Sequence, residues 1–336
     1  MRAVIFQEFG EPAEVLHVQD VAVPEPRTGE VRVKMLASPL NPSDLMAVRG
    51  VYSSPPELPT TPGFEGVGIV EASGGGVLGR FLVGRRVAVL NRSGGNWCAQ
   101  TVIPAKQAIP LAGDLPLEQA AMFFVNPATA YVMTRVVLDI PPGAWLLQTA
   151  AGSALGRMVI RLGQRFGFRT LNVVRREEQA GELKELGGDV VLGYNPERQQ
   201  AEQLRDEVMH VTAQQGVAFA IDPVGGKTGS AVVGCLAQAG RMLVYGTLSG
   251  EPISFSPREL MGHGARIEGF WLARWMETQQ LFGKLRLIRN ITQLMRAGVL
   301  VSEVAEMFPL ERVVDAVREA ERTGRKGKVL LRMNES

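Results

Sequence analysis

Between residues 144 and 245, five short apolar runs alternate with four longer amphipathic stretches. The runs fall near 144–149, 170–174, 189–192, 217–221 and 241–245, and the helical patterns near 153–166, 177–186, 198–213 and 227–238. Strands separated by helices cannot pair as hairpins. They form a parallel sheet with right-handed crossovers, so this part of the chain is predicted to be a doubly wound α/β unit. Within it, Trp145-Leu-Leu-Gln-Thr-Ala-Ala-Gly-Ser-Ala-Leu-Gly156 reads as a buried strand, a turn of small side chains and a helix start.

Small residues let the backbone approach a pyrophosphate, and a helix N-terminus offers unpaired N–H groups and partial positive charge. The turn therefore reads as a dinucleotide site, with Gly152, Ser153, Ala154, Leu155 and Gly156 as its contacts. Its glycine fingerprint is incomplete. In the G-x-G-x-x-G register that ends at Gly156, the first two glycine positions hold Ala151 and Ser153. Taken alone, the turn also fits a strand-to-helix connection that holds no nucleotide.

Residues 1 to about 118 read as mostly β. Short apolar runs such as Ala3-Val-Ile-Phe6, Glu30 to Leu36 and Arg86 to Leu90 are separated by Gly/Pro turns. After a strand near 267–271, helices are predicted near 277–297 and 310–322, and a last strand near 327–331. That tail is expected to return to the first domain, leaving the active site in a cleft between the two domains. A chain of 336 residues is long enough for two domains, and a net charge of +2 gives no argument for nucleic acid. Cys98 and Cys235 stand far apart and form no ligand or disulfide pattern. Met1-Arg-Ala-Val-Ile has no signal-peptide layout and no apolar run spans a membrane, so a cytoplasmic protein without membrane contact is expected.

Five further stretches occur in order: Asn41-Pro-Ser-Asp44, Pro62-Gly-Phe-Glu-Gly-Val-Gly68, Val125-Asn-Pro-Ala-Thr-Ala-Tyr131, Ile221-Asp-Pro-Val-Gly-Gly226 and Gly327-Lys-Val329. With them the chain resembles the medium-chain dehydrogenase/reductases over nearly its whole length. The resemblance implies a β-rich GroES-like catalytic domain at 1–118 with a returning tail at 272–336, and a Rossmann nucleotide-binding domain at 119–271. It also implies a homodimer, formed through an edge strand in the segment Leu248 to Phe255. Zinc-containing members hold their metal with a Cys and a His-Glu pair. Here Asn41 and Phe64 stand at the Cys and His positions, and the four cysteines of the structural lobe are missing. The resemblance is therefore to a zinc-free member, with no metal site and an organic proton donor.

Arg49-Gly-Val-Tyr-Ser-Ser-Pro-Pro-Glu-Leu-Pro59, Leu171-Asn-Val-Val-Arg175 and Gly269-Phe-Trp-Leu-Ala-Arg-Trp275 are similar to segments of the mitochondrial-type 2-enoyl thioester reductases. The zeta-crystallin-like quinone oxidoreductases share much of the same set. The resemblance implies hydride transfer to a small-molecule substrate: an enoyl thioester or related enone, or alternatively a quinone. A module that binds NADPH without turnover is the alternative of another class.

Arg175 and Arg176 occupy the end of the second nucleotide-domain strand, where an acid would favour NAD. A guanidinium complements a 2′-phosphate bidentately, so NADPH is the expected cofactor. Tyr52, in a Gly/Pro/Ser-rich loop, is the candidate proton donor or orienting group, with Trp271 beside it among the catalytic candidates. By resemblance, Asn41 and Thr129 face the nicotinamide, and Asn126 joins them. Asn41 also reads as an Asx-turn, and Asn126 as a helix cap before Pro127. Gly225, Tyr245 and Gly246 follow strand ends that line the ligand crevice. Phe270, Trp271 and Leu272 are predicted to wall the nicotinamide and acyl chain. Lys328 is read either as a cofactor contact from the tail or as a solvated lysine.

Overall fold

The computed structural model describes residues 1–52, 54–91 and 94–333. Ser53, within the Tyr52 stretch, lies outside the described residues. Two compact units are present: Met1–Val125 with the tail from Ser302, and Asn126–Val301. These boundaries lie further along the chain than 118 and 271, for two reasons. The helix Leu117–Ala121 buries Ala120 and Ala121 and packs on strands of the first unit. The helix Leu281–Arg296 buries Leu287, Ile291, Leu294 and Met295, and its Asn290 amide donates to the Tyr131 hydroxyl of the second unit at 2.8 Å.

The second unit is built on six parallel strands. Across the sheet they run Val190–Gly193, Arg169–Val174, Trp145–Gln148, Val217–Asp222, Leu236–Val244, Arg266–Gly269. In chain order this is third, second, first, fourth, fifth, sixth. The direction of winding reverses between Trp145–Gln148 and Val217–Asp222, and ligands of such sheets bind at the carboxyl ends beside that reversal. The central strands are covered on both faces, with Leu146, Leu147, Leu171, Val173, Ala220, Ile221, Met242 and Leu243 all buried.

Two elements depart from the sequence reading. The strand expected near 241–245 begins at Leu236, and the helix before it ends at Val233. Cys235 and Leu236 are buried and Leu236 pairs with Val217, so sheet pairing draws in apolar residues that local pattern assigned to the helix. Residues 248–255 contain no strand, and the sheet ends on Arg266–Gly269. Pro252 lies within that segment and Pro257 just after it, and a proline lacks the ladder donor.

The first unit is a largely antiparallel seven-stranded arrangement around Glu30–Pro39 and Glu65–Ser73. The tail strand Lys328–Arg332 lies beside Glu30–Pro39, so Lys328 comes next to a segment almost three hundred residues earlier. Its core holds Phe6, Val31, Val33, Met35, Trp97 and Ile103, all fully buried. Among the described residues, no helix is long and apolar enough to cross a membrane.

The helix Ala154–Phe166 is anchored by close backbone contact at its start. A Cβ on Gly156 would stand 2.4 Å from the Ala151 carbonyl oxygen. Gly156→Ala is expected to force the helix off the turn and cost about 1–3 kcal/mol, measured by urea denaturation. A stability unchanged from wild type would mean that the helix can shift without penalty.

Candidate functional site

The candidate dinucleotide turn of the second unit spans Ala150 to Ser153. The Ala151 N–H donates to the Val173 carbonyl at 3.2 Å, which ties the turn to the neighbouring strand. Ser153 is the N-cap of the helix, and its hydroxyl oxygen accepts the Gly156 N–H at 3.1 Å. Its acceptor capacity is thus used locally, while its O–H hydrogen can still donate. Buried Arg157 holds the turn from below, donating Nε–H to the Gly152 carbonyl at 3.2 Å and pairing with Glu182 at 3.0 Å. Gln148 donates to the Gly156 carbonyl and to Asn172 Oδ1, and Asn172 donates on to the Val190 carbonyl. These bonds lock three adjacent strands beneath the turn.

Across the winding reversal, Thr149 Oγ1–H donates to Asp222 Oδ1. Asp222 also accepts the Val224 N–H at 3.1 Å and the Gly225 N–H at 2.8 Å, which shapes the turn into Gly225 and Gly226. Both glycines adopt positive φ, +72° and +53°, where a side chain is strained. Burial raises the pKa of Asp222, opposed by its bond from Thr149 and by the two backbone donors. Gly246 packs against Pro223 with no room for a Cβ, and half-buried Tyr245 donates its N–H to the Asp222 carbonyl. Burial, and next the charge of Asp222, pushes the Tyr245 phenol up. Arg175 is exposed immediately past Val174, with Arg176 half-buried behind it. Phe270 is buried, Leu272 half-buried, and Trp271 is 39% exposed as the N-cap of Leu272–Thr278.

In the first unit a second set of groups converges. Asn41 is the N-cap of Pro42–Val48, and Asp44 Oδ2 accepts the Asn41 N–H at 2.7 Å. Asp44 Oδ1 accepts the Phe64 N–H at 2.9 Å. The Asn41 carboxamide also reaches two buried ionisable groups. Its Nδ2 donates to Glu65 Oε1 at 2.9 Å, and its Oδ1 accepts from Lys328 Nζ. Lys328 also donates to the Leu40 carbonyl at 3.1 Å and is 5% exposed, so it is not a solvated lysine. Glu65 Oε2 accepts the N–H groups of Phe124 at 3.3 Å and Val125 at 2.9 Å. The following helix, Val125–Val132, starts one residue before Asn126, so Asn126 lies within its first turn and Thr129 is buried further along. Tyr52 is half-buried with its ring against Phe64, centroids 5.2 Å apart and planes tilted by 33°. Tyr52, Phe64, Asp44, Asn41 and Lys328 thus form one connected neighbourhood.

The family models described as alcohol dehydrogenase GroES-like domain and zinc-binding dehydrogenase match residues 27–113 and 154–286. The mitochondrial enoyl-[acyl-carrier-protein] reductase of Xenopus tropicalis is 31% identical over 327 residues, spanning 95% of this chain and 92% of that protein. The human protein of the same description is 32% identical over 315 residues, spanning 93% and 83%. The crystal structure of a Bacillus thuringiensis protein described as a candidate NADPH:quinone reductase is similar with a TM-score of 0.91 and 31% identity, over 99% of both chains. The chain is a medium-chain dehydrogenase/reductase. Within this family the words "zinc-binding" belong to the model over 154–286. The positions at which zinc-containing members hold their metal are Asn41 and Phe64 here, and a phenylalanine cannot ligate.

Asp44, Glu65, Asp222 and Arg157 hold the candidate contacts in place, yet sequence reasoning did not select them. The two family motifs contain Asp44 and Glu65, and the turn motif contains Asp222, so the motifs were visible while the division of labour inside them was not. Burial pushes Asp44 up to about 7, against the pull of the Asn41 and Phe64 N–H groups. Burial brings Lys328 down to about 8, against the pull of Glu65 and Asp44. Glu65 is raised by burial, opposed first by the Val125 N–H.

Asp44 binds its proton more tightly when folded, so its contribution to stability is complete below about pH 4 and is lost as pH rises through about 7. The contribution of Lys328 is complete above about pH 10.5 and is lost as pH falls through about 8. Asp44→Asn is therefore expected to flatten the fall in Tm between about pH 5 and 7, followed by differential scanning fluorimetry. A wild-type slope in the variant would remove Asp44 as the titrating group.

Proposed function

We propose that this chain is an NADPH-dependent, zinc-independent reductase that transfers hydride to the activated C=C of a 2-enoyl thioester or related enone. The observation that carries the reading is the likeness to enoyl-[acyl-carrier-protein] reductases over more than nine-tenths of this chain. A neighbouring mycobacterial structure, 27% identical with a TM-score of 0.88, is described as complexed with NADPH. The turn at Ala150 to Ser153 fits such a cofactor: it has small side chains, a Gly156 that admits no Cβ, and a helix N-terminus. Arg175, exposed at the next strand end, complements the 2′-phosphate. Gly225, Tyr245, Gly246, Phe270, Trp271 and Leu272 line the nicotinamide end, and Asn41, Asn126 and Thr129 orient its carboxamide and ribose.

The bound nicotinamide supplies the hydride, which goes to the β-carbon. Negative charge then builds on the substrate carbonyl oxygen, where a positioned O–H donor lowers the barrier. Tyr52 is that donor: its phenol O–H can donate a hydrogen bond to the developing charge. Its packing on Phe64 holds the ring beside the Asn41 neighbourhood. A proton delivered to the α-carbon completes the reduction. Reduction of a quinone ring by the same hydride is the second reading, favoured by the likeness to the Bacillus thuringiensis protein.

Tyr52→Phe is expected to lower kcat on crotonyl-CoA about tenfold or more with NADPH affinity retained; unchanged turnover would refute the role of Tyr52. The ratio of kcat/KM for NADPH over NADH should exceed one and collapse in Arg175→Ala. Equal values in wild type would sink the cofactor preference. NADPH oxidation with crotonyl-CoA and with 1,4-benzoquinone separates the readings, and tight NADPH binding with neither reaction would point to a binding module. A homodimer is expected by light scattering, and a monomer mass at micromolar protein would end that expectation.

A further inference from the structure

We propose that Glu65 is a positioning residue for the cofactor, because one carboxylate fixes both the Asn41 carboxamide and the start of the helix that carries Asn126 and Thr129. Glu65 is 2% exposed, and both of its oxygens are engaged by N–H donors. Oε1 takes the Asn41 amide; Oε2 takes the Phe124 and Val125 N–H groups at the start of the helix. On the other side of Asn41 stands Lys328, which can only donate. An acceptor-only group and a donor-only group at opposite ends of one amide leave it a single orientation. Asn41 is therefore held from both ends as a pre-aligned group, with little rotational freedom left to lose when a ligand binds. Asp44 works in parallel by gripping the backbone on either side, at Asn41 and Phe64.

The inference rests on the reading of Asn41 and Thr129 as cofactor contacts. Glu65→Gln is the discriminating change, because it is nearly isosteric and replaces one oxygen with a donor. The new amide must face either Asn41 Nδ2 or the Phe124 and Val125 N–H groups. Turning Asn41 over to compensate would set its NH2 against the Lys328 ammonium. The test is a double-mutant cycle on NADPH affinity, read by fluorescence, with Glu65→Gln, Asn41→Ala and the double variant, each confirmed as folded by its Tm. Each single change is expected to weaken NADPH binding about tenfold. The double variant should lose less than the product of the two single losses, since part of the effect of Glu65 passes through the Asn41 amide. A purely structural Glu65 gives independent, multiplying losses, and that result overturns the proposal.

Wild-type affinity in Glu65→Gln alongside a weakened Asn41→Ala overturns this proposal alone. Wild-type affinity in Asn41→Ala removes the cofactor reading beneath it as well. If Glu65→Gln fails to fold, hydrogen exchange of the wild-type Phe124 and Val125 amides decides. NADPH should slow their exchange about tenfold or more, and unchanged exchange overturns the proposal.

Discussion

Three ionisable side chains removed from water, Asp44, Glu65 and Lys328, constrain where the chain of the first unit can run. A buried charge is costly unless it is paired and fully hydrogen-bonded, and breaking such a set costs several kcal/mol because one charge is left uncompensated. Here the bonds run to backbone N–H groups of Asn41, Phe64, Phe124 and Val125 and to the Asn41 amide. The ionised groups thus dictate where four separate pieces of chain lie. The segment that carries Leu40, Asn41 and Asp44, the segment Phe64–Glu65, the helix start at Phe124–Val125 and the tail residue Lys328 have to meet for all three groups to be satisfied. An apolar cluster tolerates sliding and repacking; this one does not.

The second unit uses the same device with one charge. Asp222 is raised by burial and is satisfied by Thr149 and two N–H groups of its own turn. It lies where the sheet reverses its winding and holds the two turns that flank the crevice in fixed relation. Arg157 and Gln148 support the first of those turns through the Gly152 and Gly156 carbonyls. In both units a buried polar side chain holds the backbone.

Much of this was legible in the sequence where the signal is local. The alternation of strand and helix patterns from residue 144 onward yields the parallel sheet, because each period depends on neighbours a few residues away. The helix at Ala154–Phe166 announces itself by Ser153, by its apolar spacing and by Gly167 at its end. Legibility stops where partners are distant. Glu65 meets Asn41 across 24 residues and Val125 across 60, and Lys328 meets Asn41 across 287. No periodicity encodes such pairings, so the sequence left Lys328 between a cofactor contact and a solvated lysine, and Asn41 between a cofactor contact and a turn former. The start of the strand Leu236–Val244 was hidden for the same reason, since a parallel neighbour and not the local pattern makes it extended.

The hydrogen bonds of Glu65 to Phe124 and Val125 have a bearing on modularity. Those two amides sit at the last residues before the chain enters the second unit. A fragment beginning at Asn126 would leave its helix without that acceptor, and a first unit truncated before Phe124 would keep a buried carboxylate stripped of two of its three donors. The seam is therefore a poor place to cut. Grafting the nucleotide-binding unit onto another scaffold would require carrying residues 65 and 124–125 across together, so the hereditary unit is larger than the compact body that the fold outlines.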